Sequence, residues 1–321
     1  MRRSRQRGVA LLVAIVIFAM ATTIAAAITY NKMMAARRAA ATFTMEQALQ
    51  AGMAAEALAS MALEADGGKA TTNTTQDWAQ VQPPIEIEGT GIWIQAQVED
   101  LQGRFNLNSM VSWDTANNTF VADQHQLAVF RNLLQQLDID VRYADLLVDW
   151  IDPDIAPSGN SGGEDTLYMS QNPPYRPPNT FITHTSELLA LPGFGHEAYV
   201  KIAPYVTALP NDVPVNICTA SGQVLEATLN DPTNQQYATQ TAQNMTQSRQ
   251  NGCWPTKSVY TGVIADPQNK AQVERRVEEK SSWFRLRTNI RIGTTEFVLY
   301  SVLFREAGNK IRTVQRSFGS E

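Results

Sequence analysis

Histidine and cysteine are scarce in this 321-residue chain, three of one and two of the other. His125, His184 and His196 stand far apart, no H-E-x-x-H string occurs, and no Cys/His cluster has ligand spacing, which excludes zinc-peptidase and structural-zinc chemistry. An excess of basic charge is missing too: 26 Lys and Arg against 31 Asp and Glu leave a formal −5, the wrong sign for a body that neutralises phosphates or an anionic membrane surface. No internal repeat is present, and no low-complexity tract beyond a Thr-rich link at 70–75. One string imitates a catalytic motif, Gly159-Asn160-Ser161-Gly162-Gly163. It lacks the apolar strand before serine and the helix after it that a nucleophile elbow needs, since Pro157 precedes it and Glu164-Asp165 follow. None of the histidines has a triad-like context. The chain reads as non-enzymatic.

What is there begins at the N-terminus. Arg2, Arg3, Arg5 and Arg7 lead into Gly8, and an uncharged apolar run follows from Val9 to Ile28. Its 20 residues at ~1.5 Å each span ~30 Å, the thickness of a bilayer's hydrocarbon core. Cations before the run, with Lys32 alone soon after it, predict a cytoplasmic N-terminus and a body on the other side of the membrane. A cleaved signal peptide ending at Ala25-Ala26-Ala27 is the competing reading, but its apolar region would be only about 7–15 residues long. Helical pattern also continues past the run. From Lys32 to Glu64 there is no proline and only Gly52, amid Ala, Met, Leu, Glu, Gln and Arg, the strongest helix formers. The stop comes at Asp66-Gly67-Gly68. One helix over 9–65 is predicted, roughly 85 Å long, with 9–28 in the membrane and the remainder in water.

About 255 residues follow, enough for one sizeable core or two small ones. Without residues 1–8 the balance becomes 22 − 31 = −9. Cys218 and Cys253 would pair in an oxidising compartment and stay free thiols otherwise. A bridge between them would staple the Asn- and Gln-rich stretch from Asp231 to Asn251, contributing roughly 3–4 kcal/mol by loop entropy.

Alternation predicts a half-buried strand at 92–98, a turn over Asp100–Arg104 and a short return at Phe105–Asn108. From Asp123 to Leu137 the period is helical, with Leu127, Phe130, Leu133, Leu134 and Leu137 on one face. A second helix is predicted over Arg142–Ile151, and another short one within Cys218–Leu229. Near the C-terminus three strand patterns, at 283–290, 296–303 and 310–314, are separated by Gly293-Thr294 and Gly308-Asn309, which predicts an antiparallel meander.

Two segments carry candidate binding chemistry. From Asp152 to Thr180 the chain is irregular, with six prolines, and loops of that length are usually functional or disordered. Asp149, Asp152, Asp154, Glu164 and Asp165 gather around it, with amide oxygens from Asn160, Asn172 and Asn179. Such oxygen donors suit calcium, though the pattern is not an EF-hand, and by spacing alone a solvated acidic loop fits equally well. Residues 187–199 read as helix, Pro192-Gly193-Phe194-Gly195 hairpin and helix, similar to the helix-hairpin-helix (SAM-like) unit whose amides hold DNA phosphate. Here Arg176 and Lys201 stand against Glu187 and Glu197, so the charge for sustained DNA affinity is missing.

The basic leader ending in Gly8, followed by an apolar helix that runs on into an amphipathic one, resembles the type IV pilin and pseudopilin class. In that class a prepilin peptidase cuts after the leader glycine, here between Gly8 and Val9, and the new terminus is methylated. The sequence departs from the class pattern twice, with Val9 where Phe or Met is usual and Val13 where the fifth mature residue is usually Glu. Further motifs sharpen the likeness. They are Asp149-Trp150-Ile151-Asp152-x-Asp154, Gly163-Glu164-Asp165-x-x-Tyr168, Pro173-Pro174-Tyr175, Ser186-Glu187-Leu188, Leu191-x-Gly193-Phe194, Val213-x-Val215-Asn216 and Thr219-Ala220. Together they resemble the K-type minor pseudopilin family of bacterial type II secretion systems, in which the Glu is also replaced.

The resemblance implies an α+β, pilin-like fold: a long helix packed on a small antiparallel sheet, interrupted by a large inserted α-helical domain. In this chain that divides into a leader (1–8), the long helix (9–65), a first pilin-like part (66–122), the insertion (123–255) and C-terminal strands completing the sheet (256–321). It also implies structural calcium in the insertion, with Asp152, Asp154, Glu164, Asp165 and Asn179 as the candidate ligands. The partners implied are I-type and J-type minor pseudopilins in a tip complex, the H-type minor and G-type major pseudopilins, the inner membrane and prepilin peptidase, with no nucleic acid. The function implied is to cap and initiate the periplasmic pseudopilus. The alternative, a DNA-uptake-type pilin, requires a basic tip that this sequence lacks.

Overall fold

In chain order the elements are α1 (Arg7–Asp66), β1 (Ile85–Ile87), β2 (Ile92–Asp100), β3 (Phe105–Asn106), β4 (Val111–Asp114), β5 (Thr119–Ala122), α2 (Gln124–Gln136), α3 (Arg142–Ile151), α4 (Asp165–Met169) and α5 (Gly195–Ile202). They continue with β6 (Val206–Thr207), β7 (Val215–Asn216), α6 (Gly222–Leu229), α7 (Lys257–Gly262), α8 (Pro267–Arg276), β8 (Val277–Glu278), β9 (Trp283–Ile292), β10 (Thr295–Arg305) and β11 (Ile311–Phe318). The structure, a computed structural model, describes residues 7–229, 248–249 and 252–319. Most of the leader, and residues 230–247 of the Asn- and Gln-rich stretch, lie outside the described residues.

The single long helix forms as the residue pattern predicts. Every side chain from Val9 to Ile28 is exposed to the surroundings, and by length and composition this segment can cross a membrane. Farther along, Ala48, Ala51, Ala55, Ala59 and Leu63 recur at helical spacing and are buried against the sheet. Gly52 lies in the same stripe because a Cβ there would come within 2.4 Å of Leu299 on β10, so glycine lets helix and sheet approach closely. A buried carboxylate sits in this interface. Glu56 accepts hydrogen bonds from Ser301 (2.6 Å), Thr313 (3.1 Å) and the Arg316 guanidinium (2.8 Å). Burial pushes its carboxyl up, but these bonds and the Arg316 charge outweigh that and hold it below the ordinary value.

The sheet has the order β1-β2-β9-β10-β11 and is antiparallel throughout, with the C-terminal meander turning at Gly293 and Gly308, both at positive φ. β2 and β9 are neighbours, so the chain leaves the sheet at Leu101 and re-enters at Trp283. This excursion begins earlier and ends later than the insertion at 123–255 that the family resemblance implies. Its two roots are tied together by Asp100, whose buried carboxylate accepts from Asn216 Nδ2 (2.9 Å), Thr219 Oγ1 (2.6 Å) and Ser281 Oγ (2.6 Å).

Two sequence readings need correction, one strand adds to them and one helix is narrowed. Phe105–Asn106 does not return along β2 but pairs in parallel with β6, about a hundred residues away in sequence. The edge strand β1 was not foreseen, since Ile85–Ile87 follows two prolines and is only three residues long. The first arm of the Pro-Gly-Phe-Gly hairpin is a run of 3-10 turns, Thr185–Ala190, and only the second arm, α5, is α-helical. The short helix predicted within 218–229 forms and spans Gly222–Leu229, after Val215–Asn216 has paired with β8.

Inside the excursion α2 is capped by the Asp123 side chain and buries Leu127, Phe130, Leu133 and Leu134. These pack against α3, which buries Ala144, Leu147, Val148 and Ile151. A second, smaller core surrounds the Cys218–Cys253 disulfide, including Ile217, Leu225, Tyr260 and Val273.

Candidate metal centre

The acidic segment is anchored by aromatic packing. Trp150 of α3 contacts the Tyr168 ring at 5.4 Å, Tyr168 contacts Tyr175 at 5.4 Å, and the Tyr175 hydroxyl donates to the Ala190 carbonyl. Asp149, near the end of α3, then folds the loop onto itself. Its two carboxylate oxygens accept from the backbone N–H groups of Ser158 (2.8 Å) and Gly163 (2.6 Å). Gly162 is required at this wrap: a Cβ there would lie 2.4 Å from the Asp149 carboxylate and 2.3 Å from the Ser158 carbonyl oxygen.

Three carboxylates converge as a result. Asp149, Asp152 and Glu164 are all buried, and each places an oxygen within 4.8 Å of the other two. Asp152 directly follows α3 and Glu164 directly precedes α4. Burial pushes the Asp152 carboxyl up to about 7, helped by the charges of Asp154, Asp149 and Glu164. Glu164 also rises to about 7, for burial first and then for the charges of Asp149, Asp154 and Asp165. Every charged neighbour named here is another carboxylate. Arg131 is engaged with Asp145 and Arg176 with Asp165.

The candidate ligands thus divide. Asp152 and Glu164 meet, and Asp149, one of the loop's acids but outside the candidate ligand set, completes the group. The signal for it was the i, i+3 spacing of Asp149 and Asp152 across the end of a helix whose other faces are apolar. Asp154 is exposed and accepts from its own loop at Ala156 N–H, while its backbone carbonyl accepts from Asn179 Nδ2 at 3.0 Å. Asp165 turns outward to Arg176 at 3.5 Å. Three buried acceptors lack any donor: Asp152 Oδ1, Glu164 Oε1 and Asn179 Oδ1. Buried oxygens without donors, surrounded by negative charge, fit a hard cation that accepts many oxygen ligands in adaptable geometry. The set offers no sulfur or imidazole for zinc.

The hairpin after this loop packs inward. Phe194 is buried against Tyr143 at 4.9 Å between ring centres, and the Tyr143 hydroxyl donates to the Gly193 carbonyl. Glu187 caps its first arm and accepts from Trp150 Nε1. Ser161 is exposed on a turn with no strand leading into it.

Comparison with known proteins agrees with this architecture. The family model for type II secretion system (T2SS) protein K matches residues 103–211, the first part of the excursion and the whole acidic loop. Type II secretion system protein K of Pectobacterium carotovorum is 33% identical over 330 residues, covering 99% of this chain and 98% of that protein. Its counterpart in Pseudomonas aeruginosa is 30% identical, covering 99% and 94%. Among solved structures, the GspK-GspI-GspJ complex from enterotoxigenic Escherichia coli matches with a TM-score of 0.76 at 23% identity, over 88% of this chain and 100% of that one. A long helix on a five-stranded sheet, a helical excursion between its second and third strands and full-length likeness converge on one assignment: the chain belongs to the type II secretion system protein K family.

Proposed function

We propose that this minor pseudopilin sits at the tip of the periplasmic pseudopilus, capping the fibre and initiating its assembly with I-type and J-type minor pseudopilins. The observation that carries the reading is Val13. A carboxylate in the apolar stem costs free energy in lipid unless a cation pairs with it. In the pilin class that cation is the terminal amine of the subunit nearer the tip, and a terminal subunit has no such neighbour. Replacing Glu by Val removes the penalty, while the amine on Val9 still receives the Glu of the subunit below. The excursion at 101–282 supports the same position, because its bulk between adjacent strands obstructs stacking of a further subunit above.

The same reading has prepilin peptidase cut between Gly8 and Val9 with the stem retained, the body in the periplasm and the N-terminus first held in the inner membrane. Terminal sequencing of the mature protein tests it: a start at Val9 is expected, and a start after Ala27 refutes a retained stem. Tip labelling of assembled fibres tests position, where even spacing along the shaft refutes capping. Calcium belongs to this proposal as a structural ion held by Asp149, Asp152 and Glu164, with Asp154 and Asn179 beside them. Its role there is to neutralise buried carboxylates and fix the loop.

A further inference from the structure

Between the apolar run and Glu46 the charges on α1 are Lys32, Arg37 and Arg38, all of them positive. No Asp or Glu stands anywhere from Val9 to Met45. The three side chains are exposed and have no ion pair among the described residues. The helix is unbroken here. At ~100° per residue, positions 37, 38 and 32 follow one another around its axis at intervals of ~100–140°. The cations therefore form a collar and not a stripe.

Their height fits the edge of a bilayer. With Ile28 at the end of the hydrocarbon core, Lys32 lies ~6 Å farther along the helix, within a headgroup layer roughly 5–8 Å deep. Arg37 and Arg38 start ~13–15 Å beyond Ile28. Cα–Cβ bonds in a helix tilt toward its N-terminus, here the membrane side, so both long side chains lean back toward the same layer. Tyr30, 59% exposed, stands between the core and Lys32, where amphipathic aromatic rings concentrate. Lys and Arg are ordinarily concentrated on the cytoplasmic side of a span. Three of them on the body side, without an acid, depart from that distribution and call for a counter-charge.

We propose that Lys32, Arg37 and Arg38 bind the phosphates of anionic phospholipids in the leaflet next to the body. The inference rests on the reading that Val9 to Ile28 spans the bilayer, and it names the lipid class that the stem would gather. Distribution selects the occupant: a protein partner approaches one face of a helix, whereas lipids surround it, and the collar presents a cation in each direction. Charge selects the class, since cations without a neighbouring acid favour anionic over zwitterionic headgroups, by about fivefold for each one near a charged surface. The collar sets the height of the body above the membrane, and its lipids are released when the stem passes into a fibre.

The test reconstitutes the full chain in phosphatidylcholine vesicles. Electron spin resonance then measures how strongly it immobilises spin-labelled phosphatidylglycerol relative to spin-labelled phosphatidylcholine. A variant carrying Lys32→Gln, Arg37→Gln and Arg38→Gln changes exposed stem positions alone, and the leader cations are the same in both proteins, so the collar is read from their difference. The preference for phosphatidylglycerol should fall at least about fivefold in the variant, and the gap should close in high salt. Lys32→Arg should keep the wild-type preference. Wild-type preference in the triple variant, with lipid still immobilised, overturns the collar and leaves the span intact, whereas a chain that immobilises neither lipid overturns both. An equal loss from Arg291→Gln, an exposed cation on β9, would make the attraction a matter of overall charge and overturn the collar too.

Discussion

Glu56 and the pair Asp152 and Glu164 are all buried carboxylates, and they are solved in opposite ways. Glu56 lies between α1 and the sheet, where Arg316, Ser301 and Thr313 saturate it and its carboxyl is held below the ordinary value. Asp152 and Glu164 have unsatisfied oxygens and only acids around them, and both are pushed up to about 7. Glu56 has its counter-charge within the chain; the Asp152–Glu164 cluster does not. An acid with its own cation is a fastener, whereas a cluster without one is half of a site.

The sharpest way to break this contrast is to remove the cation proposed for the cluster. At calcium a few hundred times above its dissociation constant, ligand binding contributes about 3–4 kcal/mol to stability, so excess chelator should lower Tm by about 10 °C. Asp152→Ala should abolish that calcium-dependent difference while leaving the chelated protein as stable as wild type or more so, because it deletes a repelling charge. Identical melting of wild type with and without calcium would make the loop a solvated acidic turn after all.

Titration should separate the two sites by sign. Asp152 and Glu164 have folded values of about 7 against ordinary ones of 3.8 and 4.5. In chelator their contribution is fully present below about pH 4 and is lost as pH rises through 7, since the unfolded chain gives up its protons first. Glu56, with a folded value lowered from 4.5, contributes above the unfolded value and loses that contribution as pH falls through and below it. Melting of the chelated protein from pH 4 to 8 should therefore show a decline that Asp152→Asn and Glu164→Gln flatten and Glu56→Gln does not. Calcium affinity should fall as pH drops below 7, where protons compete for the same oxygens. A chelated protein whose stability climbs across that range would contradict the assignment.

Glu56 gives the next effect. Glu56→Ala removes five hydrogen bonds to a buried carboxylate but leaves Arg316 half exposed and able to find water, so a cost of about 2 kcal/mol is expected. The cost should be the same with calcium and with chelator. A calcium-dependent cost would mean that the two halves communicate.

These contrasts were unequally legible. The long helix, α3 with its exact span Arg142–Ile151, and the C-terminal meander follow from local periodicity and from Gly-containing turns, which the residues themselves carry. The parallel pairing of Phe105–Asn106 with Val206–Thr207 was not legible, because its partner is set by packing across the excursion rather than by neighbours in sequence. At the carboxylate loop the residue types suit calcium and a solvated acidic loop equally, and only the likeness to a family tips the balance toward calcium. Which acids meet depended on how the loop closes. Asp149 joins the group because Ser158 and Gly163 fold back onto it, and Asp165 turns away because Arg176 draws it out. Spacing alone does not encode those contacts.

Asn179 tests the finest part of the contrast, since it offers a neutral oxygen where the others offer charge. Its backbone is at φ 46°, a conformation that Asn tolerates and Ala does not, so Asn179→Ala mixes backbone strain with loss of an acceptor. Asn179→Asp keeps both the backbone tolerance and the oxygen. With its Nδ2 gone, the Asp154 carbonyl loses a donor, and an added carboxylate repels Asp152 and Glu164 whenever the cation is absent. The chelated Asn179→Asp protein should therefore melt slightly below wild type, by about 1 kcal/mol, while its calcium affinity rises severalfold because the site gains charge. If the affinity is unchanged, Asn179 Oδ1 faces no ion, and the site contracts to the three carboxylates.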